Sequence, residues 1–312
     1  MAQSNSIVWP DGKAFAFTIV DDTDQSRLPR IKAVYDFLAE NQLRTTKTVW
    51  PLRPLGKPIT GGETLEDPEY RAWVQSLRSA GFEIAMHGVS DETSTRDRVI
   101  QGLDRMREFL GADPEMHVNH VGQREGMYWG SARFDAPVRQ LYEMYLRVRR
   151  QDPLYFGHVE GSPYFWGDLC RDRFRFVRGM VWPDINTLRA DPLMPYRDPR
   201  RPYVSYWYSA SHGSSEEGFC RLLSERNQDR LLAEGGACIV YTHLGSSTFY
   251  QLSSQFQRVV RRLAKLPGWF VPASTMLNYI GEKRGWIDVS RHRLAYRRMQ
   301  WRWFMEQFKH RL

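Results

Sequence analysis

With 312 residues, 42% hydrophobic and 26% charged, the chain is long enough for one large domain or two modest ones and has the balance of a globular protein, not a disordered or fibrous one. Its net charge of +8 is concentrated: between Lys283 and Leu312, nine Lys or Arg against Asp288 and Glu306 give +7, and the rest is close to neutral. That argues for a local contact by a basic tail, not a nucleic-acid surface over the body, and no apolar run approaches the roughly 20 residues that span a bilayer.

The segment Met1 to Pro10 has neither a basic n-region nor an apolar h-region, so no signal peptide is expected. Phe15 to Val20 is a β-rich run that ends abruptly at Asp21-Asp22-Thr23-Asp24. Arg30 to Glu40 then places Ile31, Val34, Tyr35 and Leu38 on one helical face. Thr45 to Trp50 reads as a strand stopped by Pro51, and Glu69 to Ala80 as a helix stopped by Gly81. Phe82 to Met86 is a third strand ending at His87, Arg98 to Leu110 a helix stopped by Gly111, and Met116 to Asn119 a short fourth strand. From about Gly122 to Pro202 the pattern weakens; a helix over Asp135 to Arg149 and a strand over Phe174 to Trp182 are expected there. Ala237 to Thr242 is a strand ending at His243, followed by a helix near Gln251 to Leu266, a strand at Trp269 to Val271 and a helix from Ala273 to Ile280. Strands alternating with helices predict a parallel β/α architecture, barrel or doubly wound, without internal repeats. Three separated cysteines, Cys170, Cys220 and Cys238, argue against a disulfide framework and for a reducing, cytoplasmic setting.

The acids and histidines fall at the C-terminal ends of these strands: Asp21 and Asp22 after the first, His87 after the third, His120 after the fourth, His243 after a late one. In a β/α barrel those ends share one face, where active sites assemble. A carboxylate and a histidine from different strands can hold a divalent ion with positions left open, and the ion brings the pKa of bound water toward about 7. A second carboxylate can accept the water's proton and a histidine across the site can protonate the leaving group.

These motifs resemble the NodB-type polysaccharide deacetylases, metal-dependent carbohydrate esterases with a distorted (β/α)₇ barrel of parallel strands. Ile19-Val20-Asp21-Asp22-Thr23 is similar to that family's opening Thr-Phe-Asp-Asp-Gly, with Thr23 in place of Gly. Gly81-Phe82-Glu83-Ile84-Ala85-Met86-His87-Gly88-Val89-Ser90-Asp91 is in register with its Gly-x-Glu-Ile strand and His-Ser/Thr-x-x-His motif, with Asp91 at the second His. Ile239 to His243 looks like the strand that ends in the acid His, and Gly268-Trp269-Phe270-Val271 like the start of the last β/α unit. The resemblance implies a barrel over residues 1–282 and a basic, aromatic-rich helical tail over 283–312. Asp21 would be the general base, His243 the general acid, and Asp22, His87 and either Asp91 or His120 the ligands of a divalent metal. Zinc comes first, with manganese or cobalt as alternatives; an Asp-His-Asp set, being harder, also admits magnesium. The family's Arg-Pro motif, which orients the base Asp, is missing from His117 to Arg124, and Trp182-Pro183-Asp184 only distantly replaces the motif that orients the acid His.

The implied activity is removal of an N-acyl, most simply N-acetyl, group from an amino sugar in a glycan or lipid-linked glycan. A catalytically silent barrel that binds glycan or a biosynthetic partner is the alternative, and a glycosidase using Asp21 with Asp91 or Asp184 ranks behind both. Leu294, Trp301, Phe304 and Phe308, interleaved with Arg297, Arg298, Arg302 and Lys309, recur at helical spacing. Such a helix can lie in an anionic membrane interface, placing the protein peripherally at the inner face, or dock its apolar side on the barrel. No nucleic-acid partner is expected.

Overall fold

The computed structural model describes residues 7–149, 155–249 and 252–309. Most of the segment read for a signal peptide, the Gln251 start of the expected helix and the end of the tail from His310 lie outside the described residues, as does the side chain of Phe308.

Ten strands are described: β1 (Phe15–Asp21), β2 (Thr46–Val49), β3 (Glu83–Met86), β4 (Met116–His117), β5 (Phe176–Trp182), β6 (Tyr196–Arg197), β7 (Tyr206–His212), β8 (Ala237–Thr242), β9 (Gly268–Phe270) and β10 (Ile287–Asp288). β1, β2, β3, β4, β5, β7 and β8 pair in parallel in that order, and β8 returns to β1. This closed seven-stranded barrel with surrounding helices is the expected (β/α)₇ architecture. β9 adds to the start of β1, and the short β6 lies antiparallel on β7 and carries β10.

The helices form for the reasons the sequence suggests. Leu28–Glu40 opens with Pro29 in its first turn and buries Ile31, Val34, Tyr35, Phe37 and Leu38, each apolar side chain contributing about 1.5–3 kcal/mol on burial. Arg96–Leu110 ends where Gly111, at φ 73°, takes the left-handed cap a side chain would disfavour. β7 is the barrel strand absent from the sequence reading. Its sequence, Tyr-Trp-Tyr-Ser-Ala-Ser-His, has small polar residues at Ser209 and Ser211, both buried, so the segment reads as a loop around His212 although it is a barrel strand. The helices Glu216–Leu222 and Glu225–Glu234 were likewise not anticipated.

The C-terminal helix, Arg293–Lys309, is docked on the body. Its buried face is Tyr296, Met299, Gln300, Trp303 and Phe304, whereas Leu294 is 72% and Trp301 38% exposed. Tyr296 donates to Asp198, Trp303 Nε1 donates to the Val181 carbonyl, and Gln300 accepts from the Asp135 amide. The expected stripe of Leu294, Trp301, Phe304 and Phe308 is therefore corrected: of its described side chains only Phe304 is packed on the body, and the rest of the buried face is Tyr296, Met299, Gln300 and Trp303. No described helix is long and apolar enough to cross a membrane.

Candidate metal centre

Successive residues on a strand point to opposite faces, and this separates Asp21 from Asp22. Asp21 faces the helix layer: Tyr35 donates to Oδ2 at 3.0 Å, the Leu244 amide to Oδ1 at 2.7 Å, and Lys47 Nζ lies 3.0 Å from Oδ2. Both members of the Asp21–Lys47 pair are fully buried. Burial alone would lower the Lys47 pKa, but the charge and hydrogen bond of Asp21 together with Tyr70 and Asp22 raise it, while burial raises the pKa of Asp21 against the pull of Lys47. Asp22 points the other way, across the barrel, where Arg178 of β5 grips it through bonds of 2.9 and 2.6 Å.

Two residues further on, Asp24 lies at the centre of a histidine cluster. Its carboxylate oxygens are 2.9 Å from His120 Nε2, 3.0 Å from His243 Nε2 and 3.5 Å from His87 Nε2. Burial would raise the Asp24 pKa; the three imidazoles instead hold it far below the usual carboxylate range. Ligand atoms of Asp24, His87 and His120 all lie within 4.8 Å of one another. His87 Nδ1 is 3.2 Å from the Val118 carbonyl, the arrangement of an Nδ1–H donor, and the buried Nε2 has no hydrogen-bond partner. An imidazole oriented by a backbone carbonyl, with its other lone pair free among an acid and a second histidine, fits a divalent ion. Gly88 follows at φ 71°, where a Cβ would come within 2.5 Å of Gln123, so the chain can turn sharply just after His87.

His243 Nδ1 is 2.9 Å from the Ser214 carbonyl, and Nε2 is also 3.4 Å from the Tyr241 hydroxyl. Burial pulls its pKa down, but the hydrogen bond to Asp24 and the charges of Asp22 and Asp24 carry it up to about 9.

The residues singled out from sequence therefore separate. His87, His120 and His243 meet around one carboxylate, and that carboxylate is Asp24. Asp22 is adjacent, 3.8 Å from His87 Nε2, but its oxygens are engaged by Arg178. Asp91 accepts from the Thr60 and Gly61 amides, tying down that loop, and its nearest contact with the cluster is 3.8 Å from His120. Asp21 lies on the far side of β1. Asp24 was visible in the run after the first strand and was passed over for the adjacent pair. Arg178 was visible as a lone charge inside Phe-Val-Arg-Gly-Met-Val-Trp, a pattern that requires a buried partner.

No protein-family model matches the sequence, and no curated protein matches it. Solved structures do match in fold. A protein assigned as a polysaccharide deacetylase from Mycobacterium smegmatis aligns with a TM-score of 0.54 at 12% identity, covering 89% of this chain and 94% of that one. The Puue allantoinase aligns with a TM-score of 0.53 at 11% identity, covering 88% of this chain and 92% of its own. Over most of its length the chain thus shares a barrel fold with these structures, the fold expected from its resemblance to the NodB-type polysaccharide deacetylases, at 11–12% sequence identity.

Proposed function

We propose that the protein is a divalent-metal hydrolase that removes an N-acyl group, most simply N-acetyl, from an amino sugar in a glycan or lipid-linked glycan. The observation that carries this reading is the convergence of Asp24, His87 and His120, from the ends of three different strands, with the His87 Nε2 lone pair unused. A silent glycan-binding barrel has no need for buried ligand atoms pointing at one another.

Asp24, His87 and His120 would hold the ion, which when bound polarises an amide carbonyl and supplies hydroxide near neutral pH. Zinc suits an Asp-His-His set, with manganese or cobalt as alternatives. Asp22, not Asp21, is then the general base. It is the carboxylate beside His87, and Arg178 fixes its orientation as the missing Arg-Pro motif would have done. Arg178 uses one lone pair on each Asp22 oxygen, leaving others to accept a proton. Asp21 is already saturated by Leu244, Tyr35 and Lys47. His243, with Nδ1 anchored on Ser214 and Nε2 facing the cluster, is positioned to give its proton to the departing amine. Cytoplasmic placement belongs to the same reading, supported by three separated, buried thiols.

The test is metal content by elemental analysis beside acetate release from N-acetylated oligosaccharides, for the wild type and His87→Ala. About one ion per chain, lost with activity in the variant, is expected. No bound ion, and no acetate release after zinc, manganese or cobalt is added, would leave the silent barrel as the better account.

A further inference from the structure

Beside the centre runs a cleft of about 1000 Å³. Trp129, Tyr142, Trp182, Tyr241 and Trp303 supply rings to its wall, and Arg133, Arg221 and Glu306 supply charge. Tyr241 joins the cleft wall to the histidine cluster: its hydroxyl is 3.4 Å from His243 Nε2, and its ring lies over the Arg178 guanidinium at 4.3 Å.

Arg133 is only 8% exposed. Its Nε donates to the Gly130 carbonyl at 3.1 Å and its Nη1 to the Gly179 carbonyl at 2.8 Å. Gly179 directly follows Arg178, so both guanidiniums are fastened to the same stretch of β5. The Arg133 guanidinium carbon is 4.0 Å from the Trp129 ring centre and 5.4 Å from that of Trp303. Two other buried guanidiniums have carboxylate partners: Arg178 has Asp22, and Arg201 has Asp135 and Asp198. Arg133 has no carboxylate within 4.0 Å among the described residues, and Nη2 makes no hydrogen bond among them. Burial accordingly pushes its pKa down, whereas at Arg178 and Arg201 the same burial is overcome by the carboxylates beside them and the pKa is raised.

Burying a cation without a counter-ion carries a desolvation penalty, which two carbonyls and the rings packed on Arg133 offset without supplying a neutralising charge. Rings packed on a guanidinium leave its planar edge for hydrogen bonding, and that edge matches a carboxylate or phosphate. We propose that Arg133 forms an anion subsite in this cleft, taking a carboxylate or phosphate carried on the sugar while the aromatic wall packs against its rings. The sugar half of this assignment rests on the function proposed above; the anion half rests on Arg133 itself.

The test is calorimetric binding to chelator-treated protein, so that no ion competes for the anion. The ligands are N-acetylglucosamine, its 1-phosphate and the corresponding N-acetylated uronic acid, and the proteins are the wild type, Arg133→Met and Arg133→Lys. At least one charged sugar should bind about tenfold or more tighter than the neutral one. The advantage should vanish in Arg133→Met and return in part with lysine. A larger gain for the uronic acid identifies a sugar carboxylate, and a larger gain for the 1-phosphate a phosphosugar; either supports the subsite. Equal binding of neutral and charged sugars, or an advantage that survives Arg133→Met, overturns it and leaves the carbohydrate reading standing. Failure of every sugar to bind overturns both. Should Arg133→Met not fold, Arg133→Gln carries the same test: a charge advantage that survives it overturns the subsite.

Discussion

Arg178 and Asp22 meet across the barrel through two N–H···O bonds of 2.9 and 2.6 Å, although β5 and β1 are separated by three strands on one side of the barrel and two on the other. Both side chains are at most 4% exposed. The pair braces opposite sides of the barrel mouth and fixes the carboxylate that lies beside His87.

Removing one partner of such a pair leaves a buried charge uncompensated, at a cost of about 3–5 kcal/mol. Arg178→Met should be destabilised by that amount, and the double variant Asp22→Asn/Arg178→Met should recover most of it. Neither should retain hydrolysis, since both lose the oriented carboxylate. Urea denaturation of the four members of the cycle checks this. A double variant whose loss equals the sum of the single losses would mean that the two side chains are not coupled.

The three aspartates of the first loop should respond differently. Asp24→Ala should abolish stoichiometric ion binding. Asp22→Asn should keep the ion and lower kcat by about 10²–10⁴-fold, the range for a general base. Asp21→Asn should keep the ion but strand Lys47, weakening the fold by about 3–5 kcal/mol. Elemental analysis, turnover and denaturation on the same preparations separate these outcomes. Loss of the ion in Asp22→Asn with retention in Asp24→Ala would return the ligand role to Asp22.

The barrel was legible because its strands and helices alternate with clear stops, and the histidines because strand ends share a face. What was not legible is direction. Adjacent Asp21 and Asp22 looked like one functional pair, yet the two-residue period of a strand sends one to Tyr35 and the other to Arg178. Asp24 lies beyond the strand, in the turn that follows it, where no period indicates its direction. β7 was hidden because Ser209 and Ser211, buried against Asp191 and Thr187, remove the apolar run that announces a strand. Arg178 and Arg133 sit in the middle region, where the helical and strand periods fade. Their roles depend on partners distant in sequence, 156 residues away for Asp22 and 46 for Gly179.

The docked tail gives a graded stability prediction. Trp303 is 6% exposed, bonds the Val181 carbonyl and packs on Phe134 and Tyr142. Trp303→Ala should therefore cost about 3–5 kcal/mol. Leu294→Ala, at a site 72% exposed, should stay within about 0.5 kcal/mol of the wild type. Denaturation midpoints at constant m check both. A small effect at Trp303 would mean that the helix is not held on the barrel in solution.

Glu125 supplies a prediction in pH. It is 3% exposed, neither of its carboxylate oxygens has a hydrogen-bond partner, and burial raises its pKa from 4.5 to about 7. Below pH 4.5 it is protonated in both the folded and the unfolded chain and contributes no pH dependence. Between 4.5 and 7 the unfolded chain loses the proton while the folded chain keeps it, so stability falls as pH rises. At about 1.4 kcal/mol per unit the loss accumulates to roughly 3 kcal/mol by pH 8. Glu125→Gln cannot titrate and should remove that slope. In urea denaturation of chelator-treated protein from pH 5 to pH 8, the variant should gain steadily on the wild type. Parallel stability curves across that range would mean that Glu125 ionises in the folded protein as it does in the unfolded chain.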